Sequence, residues 1–274
     1  MTPATLQQLA NAYDAFLVDQ FGVLLDGSTA YPWAAQALAH LAVTGKPLII
    51  ISNSGKRSDP NAARLVKLGF QRDSFRLVLS SGEAAWQHLS HRAYAPGTKV
   101  WLHARDGDTS ALDGLGLALT DDPLEAALLL LAGSQADWLT LDDYRTLLRP
   151  VAGKVPMLCT NPDLEMLTPQ GLRPGAGRIA QLFTELGGTV DRIGKPYPLI
   201  YHEARHLLPG IAPDRILCIG DSPAHDIAGG HRAGLQTCLV RTGLHAATPD
   251  AYLAALCLAE AGVLPDHILP RFAI

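Results

Sequence analysis

A chain of 274 residues with 48% hydrophobic content can bury one large core or two modest ones, which excludes a disordered or fibrous protein. Its net charge of −4, from 22 basic and 26 acidic residues, includes no basic run or aromatic-interleaved stripe that would track a phosphate polymer, so no nucleic acid partner is expected. The start "MTPATLQQLANAYDAF" lacks the pattern of a secretion leader, and the longest apolar stretch, "AALLLLAG", is far short of the roughly 20 residues that cross a bilayer, so a cytoplasmic protein without membrane contact is expected.

In chain order, "AFLVD" is a predicted strand that delivers Asp19 into a glycine-bearing turn. A helical pattern from Trp33 to Val43 closes at Gly45, and "PLIIIS" is a continuous apolar strand ending at Ser52. Ser58 with Pro60 opens a helix through Leu68, stopped by Gly69. The strand "FRLVLS" leads into a helical "SGEAAWQHL", after which Pro96 and Gly97 mark a boundary. Beyond it come the strand "KVWLH", an apolar run near Leu128, a helix with Thr140 and Asp143 in capping-box relation, and the strand "VPMLCT". The pattern resumes with "TVDRIG", a helix from Tyr197 with Pro198 in its first turn, the strand "RILCIG", a loop "DSPAHD", a helix to Ala233 and the strand "QTCLV". Cys159, Cys218, Cys238 and Cys257 sit singly in apolar segments and read as reduced, buried thiols.

This alternation of strand and helix is that of a parallel sheet covered by helices. The fold class is α/β: a doubly wound, Rossmann-like parallel-sheet core made by residues 1–95 plus 189–274, with residues 96–188 forming an inserted α/β unit.

Four loops follow predicted strands, and in an open parallel sheet such loops converge on one crevice. They contribute Asp19; Ser52, Asn53 and Ser54; Lys195; and Asp221 with Asp226. Each has a plain reading as well. A strand-end acid caps a turn, "SNSG" suits a turn, a lysine after a strand is ordinary, and Asp226 can cap a helix. His225, without a partner in metal-ligand spacing, reads as a solvent-facing loop residue.

Taken together, with the strings "SNSGKRS", "CTNPDLEM", "GKPYPLIY" and "GDSPAHDIAGGHRAGLQTCLVRTG", these residues resemble the haloacid dehalogenase-like hydrolase superfamily, in the large-cap branch of p-nitrophenylphosphatase-like and phosphoglycolate phosphatase-like enzymes. The resemblance implies that residues 96–188 are a cap domain, and that the activity is Mg²⁺-dependent hydrolysis of small phosphorylated metabolites. It implies Asp19 as a nucleophile that forms an aspartyl-phosphate. Ser52, Asn53, Ser54 and Lys195 would hold the phosphate. Asp19, the backbone carbonyl of Phe21, Asp221 and Asp226 would hold Mg²⁺, with Asp226 either binding the metal or orienting Lys195. Oxygen ligands of this kind suit a hard cation. Capped relatives often form homodimers, so a homodimer is a further expectation of the resemblance. Asn161 to Asp163 and the stretch from Arg173 to Arg178 match strings near the substrate in that branch, with Asp163 or Arg178 reaching substrate; both stretches read equally well as turns.

One position departs from the pattern. Two residues after the nucleophile, phosphatases of this superfamily carry a second Asp that protonates the leaving alcohol and activates water, a role worth about 10²–10⁴-fold. Here that residue is Phe21. The consequences are a phosphatase of low or unusual activity, either one for substrates with good leaving groups or one that borrows another acid such as Asp26, or a catalytically weak protein that binds a phosphometabolite in a regulatory or interaction role. A dehalogenase, which also lacks the second acid, does not need the intact "GDSPAHD". Some capped relatives carry an aromatic residue at this place in a D-x-W-G-V type string, so Phe21 reads as a subgroup trait.

Overall fold

The computed structural model describes residues 1–92, 94–168 and 171–274. Two compact units divide the chain: Met1–Ser52, Ser58–Leu79 and Lys195–Ile274 form one, and Asn53–Arg57 with Ser80–Gly194 form the other. The sequence reading puts the joins after residue 95 and before residue 189. They fall instead at residues 79/80 and 194/195, because the helix Ser81–Ser90 packs against the Ser110–Leu112 turn and the strand Val190–Arg192 pairs with Met157–Cys159.

The first unit is built on a seven-stranded sheet. Its order is Thr2–Pro3, His267–Leu269, Gln236–Val240, Ile216–Gly220, Ala15–Asp19, Leu48–Ser52 and Val78–Ser80. Neighbouring strands from Thr2–Pro3 through Leu48–Ser52 pair in parallel. Ala15–Asp19 and Leu48–Ser52 are buried at every residue, which is why they read as unbroken apolar runs rather than alternating ones. The strand order reverses beside Ala15–Asp19: the chain runs outward to Val78–Ser80 on one side and returns through Ile216–Gly220 on the other. Such a reversal opens a crevice at the carboxyl ends of the strands. The register, with Asp19 opposite Ile51 and Val18 opposite Ile219, brings Asp19, Ser52 and the segment after Gly220 to the same edge of the sheet. Beneath them Phe16, Val18, Leu38, Leu41, Ile50, Leu217 and Ile219 form the core, each such side chain stabilising the fold by about 1.5–3 kcal/mol relative to exposure.

The second unit has its own parallel sheet, ordered Val190–Arg192, Met157–Cys159, Leu128–Leu131, Lys99–His103 and Ala118–Leu119, and an antiparallel pair, Glu165–Thr168 with Gly171–Pro174. The helices Leu141–Leu148 and Ala176–Glu185 cover it through Tyr144, Leu148, Ile179 and Phe183. Thr140 and Asp143 form the expected capping box, and Ser80 Oγ accepts the Glu83 N–H at 3.0 Å to start Ser81–Ser90; each satisfies an amide that the helix itself leaves unpaired.

The loop read at Asp221–Asp226 differs in the structure. The "DSPAHD" segment is a wide helical turn, Pro223–Ile227, with the N–H groups of Asp226 and Ile227 both donating to Ser222 O at 2.9 and 3.3 Å. Pro223 has no N–H to lose and its φ is already helical, so it starts the turn directly after the cap at Ser222. The four cysteines are free and buried. Among the described residues, no helix is long and apolar enough to cross a membrane.

Candidate active site

Two strand ends and one loop of the first unit supply a buried charged cluster. Asp19 ends its strand, Asp221 follows Gly220 directly, Asp226 lies on the wide turn, and Lys195 opens the loop before the helix Pro198–His206. Lys195 Nζ lies 2.5 Å from Asp19 Oδ1 and 2.7 Å from Asp226 Oδ1. The carboxylates of Asp19, Asp221 and Asp226 offer ligand atoms that all lie within 4.8 Å of one another. All four residues are buried, Asp226 completely.

The electrostatics follow from that burial. Desolvation works to lower Lys195, but the carboxylates of Asp19 and Asp226 outweigh it and hold the ammonium above its ordinary range. Asp19 is pushed well above the usual carboxylate range by burial; Lys195 opposes the shift, while Asp226 and Asp221 reinforce it. Among the described residues, three carboxylates therefore meet one ammonium. Negative charge is left in excess in a place water cannot screen, which is the condition a divalent cation relieves.

Local sequence explains how the acids reach their positions. An ideal Cβ at Gly22 would lie 2.1 Å from Asp221 Oδ2, and one at Gly243 would lie 1.9 Å from the same oxygen. Asp221 thus rests in a cradle that only glycine leaves open, and both glycines hold φ values (+80° and +67°) that disfavour any side chain. The Thr242 hydroxyl donates to Gly22 O, fixing one wall of the cradle against the other. A Cβ at Gly220 would likewise fall 2.0 Å from Asp226 Cγ. Each oxygen of Asp226 has a protein partner: Oδ1 accepts from Lys195, and Oδ2 accepts the Ser222 N–H at 3.1 Å. These bonds match the orienting role for Asp226 better than direct ligation. Oxygen donors of this number and charge fit a hard cation such as Mg²⁺, and Asp19 with Asp221 are the residues best disposed to hold it. The Gln20 carbonyl is taken by the Leu24 and Leu25 N–H groups and the Gly22 carbonyl by Thr242; the Phe21 carbonyl enters none of these bonds among the described residues.

The remaining predicted residues are distributed as follows. Ser52 is buried at the end of the strand beside that of Asp19. Asn53 and Ser54 belong to the second unit; there Asn53 Nδ2 donates to Asp163 Oδ1 at 2.8 Å, and Ser54 Oγ accepts the Lys56 N–H at 3.3 Å. Arg178 is exposed and donates to Gln181 on its own helix. His225 is half-buried, and its carbonyl accepts the Tyr201 hydroxyl. The Phe21 ring is 40% exposed, with the Arg64 guanidinium 4.9 Å from its centroid. Asp26 is exposed and stands outside the carboxylate cluster.

Sequence reasoning passed over Gly22, Thr242 and Gly243 as functional residues. A glycine just after the strand Gln236–Val240 was the available signal for the last, but its partner Asp221 is identified only by the fold. Tyr31 was also passed over. Burial first, and the charge of Asp26 second, push its phenol above the ordinary range, partly offset by a backbone bond from Gly243.

Comparison with known proteins identifies the family. A profile described as haloacid dehalogenase-like hydrolase matches residues 16–118, and a second, described as HAD-hydrolase-like, matches residues 192–273. Chronophin from Bos taurus is 30% identical over 268 residues, covering 92% of this chain and 89% of its own. A dihydroxyacetone phosphatase from Corynebacterium glutamicum is 28% identical over 232 residues, covering 84% of this chain and 82% of its own. The crystal structure of a glycerol phosphate phosphatase from Mycobacterium tuberculosis in complex with magnesium aligns with a TM-score of 0.74 at 26% identity, covering 96% of this chain and 77% of that one.

Proposed function

Because the chain belongs to the haloacid dehalogenase-like hydrolase family, and its relatives include a dihydroxyacetone phosphatase and a glycerol phosphate phosphatase, we propose that it is a Mg²⁺-dependent phosphatase of small phosphorylated metabolites that works through Asp19. The observation that carries this reading is the buried contact of Lys195 with both Asp19 and Asp226, beside Asp221. In the proposed reaction a carboxylate oxygen of Asp19 attacks phosphorus, the bond to the leaving oxygen breaks, and the phosphoryl group is carried as an aspartyl-phosphate until water releases it. Mg²⁺ would be held by Asp19, Asp221 and the Phe21 carbonyl, and would supply positive charge against that of the phosphoryl oxygens. Lys195, fixed by Asp226, supplies a second positive charge that needs no reorganisation when the phosphoryl group arrives. Ser52 donates its hydroxyl to the same group, with Asn53 and Ser54 assigned to the phosphate as well. Selection of substrate is assigned to the second unit, Asn53–Arg57 with Ser80–Gly194, as the cap.

Phe21 favours a second reading. A phenylalanine neither gives nor takes a proton, so the leaving oxygen and the attacking water need another acid and base, and Asp26 is the residue proposed for that work. Without such a group the protein would bind a phosphometabolite and turn it over poorly.

The test is phosphate release from a panel of small phosphate esters with and without Mg²⁺, paired with acid quench and mass spectrometry of Asp19. Turnover that depends on Mg²⁺ and is abolished in Asp19→Asn supports the phosphatase. A phosphorylated Asp19 that accumulates without turnover supports the second reading. Wild-type activity in Asp19→Asn would overturn the nucleophile, and an unchanged kcat and pH profile in Asp26→Asn would remove Asp26 from its role.

A further inference from the structure

On the outer surface of the helix Pro198–His206 the sequence reads His202-Glu203-Ala204-Arg205-His206. Residues four apart on a helix lie on one face, one turn above the other. The two imidazoles do so here, with ring centroids 4.2 Å apart, and Glu203 Oε2 lies 3.7 Å from His206 Nδ1. One ligand atom from each of His202, Glu203 and His206 falls within 4.8 Å of the others. Both histidines are exposed, while the Glu203 side chain is 14% exposed and so held in place beside them.

We propose that His202, Glu203 and His206 form a second metal site, separate in chemistry from the carboxylate cluster, that takes a divalent transition metal of the zinc type. Two imidazoles and one carboxylate are the donors that borderline-soft ions prefer and that Mg²⁺ and Ca²⁺ do not. The three groups supply three corners of a tetrahedron, leaving the fourth to water. The spacing is that of the H-E-x-x-H pattern in which two histidines on one helical face hold zinc. In zinc peptidases the glutamate of that pattern is left free to act as a base. Glu203 is instead turned toward His206, so its role here is to bind, and no hydrolytic step is assigned to it.

The helix that carries the site begins just after the loop of Lys195, and Tyr201, fully buried within it, donates its hydroxyl to His225 O at 3.2 Å on the turn that carries Asp226. An ion bridging His202 and His206 clamps one turn of this helix. It therefore stabilises the element that ties the lysine loop to the Asp221–Asp226 segment.

The test is Zn²⁺ binding by titration calorimetry, in excess Mg²⁺ so that the carboxylate cluster is occupied, on the wild type, His202→Gln/His206→Gln, Glu203→Gln and Asp221→Asn, with thermal unfolding followed in parallel. The wild type and Asp221→Asn are expected to take up one Zn²⁺ each and to unfold at higher temperature with it. The double variant is expected to lose that ion and the thermal shift, and Glu203→Gln, which loses one of the three ligands, to bind at least about 10-fold more weakly, no less than the loss of an outer partner costs. Circular dichroism in chelator checks that the variants fold. Proton NMR of the wild type gives a reading that needs no variant protein: two of the ten histidine ring signals should move on adding Zn²⁺. Zn²⁺ uptake unchanged in the double variant, uptake lost in Asp221→Asn, or no histidine signal moving would overturn the site.

Discussion

Gly243→Ala tests the cradle around Asp221. The new methyl would be built 1.9 Å from Asp221 Oδ2 and 2.6 Å from the Cα of Gly22, so the carboxylate and both backbone walls cannot stay where they are. Two costs are distinguishable. The first is backbone strain: at φ +67° an alanine costs about 1–2 kcal/mol relative to glycine, and thermal unfolding should fall by about 2–4 °C per kcal/mol. The second is displacement of Asp221. If that carboxylate holds Mg²⁺, moving its support should weaken Mg²⁺ by about 10–100-fold, or about 1.4–2.7 kcal/mol. Gly234→Ala is matched for strain: its φ is +75°, but the nearest atom to its Cβ is Pro213 Cβ at 4.0 Å. The assay is p-nitrophenyl phosphate hydrolysis over a range of Mg²⁺ concentrations, with unfolding measured on the same samples. Both variants should lose stability, and only Gly243→Ala should need more Mg²⁺. Wild-type Mg²⁺ dependence in Gly243→Ala, or the same shift in Gly234→Ala, would refute the cradle.

Lys195→Met strips the counter-charge from Asp19 and Asp226, and breaking a buried pair in this way should cost about 3–5 kcal/mol in urea unfolding; a loss under about 1 kcal/mol would show that the acids find another partner. His103, in the second unit, supplies a pH dependence. Its Nε2 lies 2.8 Å from the Tyr144 hydroxyl, whose oxygen accepts the Gln135 N–H, and burial pulls His103 down from 6.5 to about 4. The native state then refuses a proton that the unfolded chain accepts below about pH 6.5. This contribution is present in full above that pH and is lost as pH falls toward 4, by up to about 3 kcal/mol. The pH dependence of urea midpoints should therefore be steeper in the wild type than in His103→Gln, and parallel curves would refute the assignment. Gln20→Met removes a fully buried amide whose Oε1 and Nε2 have no hydrogen-bond partner among the described residues, and it should stabilise by about 1 kcal/mol or more; a destabilised variant would show that the amide is satisfied.

Much of the core was legible because its central strands are buried on both faces. "AFLVD", "LIIIS" and "ILCIG" announce themselves as apolar runs, and the chemistry-bearing residues follow directly where those runs stop. The helices Leu6–Ala12, Ala176–Glu185 and Asp250–Ala261 were not read as such. The glycine-rich approach to Ala176 has the composition of a turn, and that turn is where the helix begins, with Gly175 as its cap. Asp19, Lys195, Asp221 and Asp226 could be proposed as one site from their loops. That Gly22 and Gly243 both press on Asp221 could not, since residues far apart in sequence meet only through strand order. The partnership of Asn53 with Asp163 was hidden for the same reason.

On the proposed reading, the site divides its work by depth. The groups that manage charge are shielded: Asp19 is 7% exposed, Lys195 3% and Asp226 0%, and fixed charges act most strongly where water is excluded. The position that would manage protons is at the surface, where Phe21 is 40% exposed and Asp26 is exposed. Loss of an acid–base group costs about 10²–10⁴-fold, but that cost depends on the ester. A leaving oxygen that carries negative charge easily needs little protonation, so transfer to Asp19 survives the absence of an acid. Release from Asp19 has no such escape, because water is a poor nucleophile until a base takes its proton. The burden of Phe21 therefore falls on the second step, the release of phosphate from Asp19.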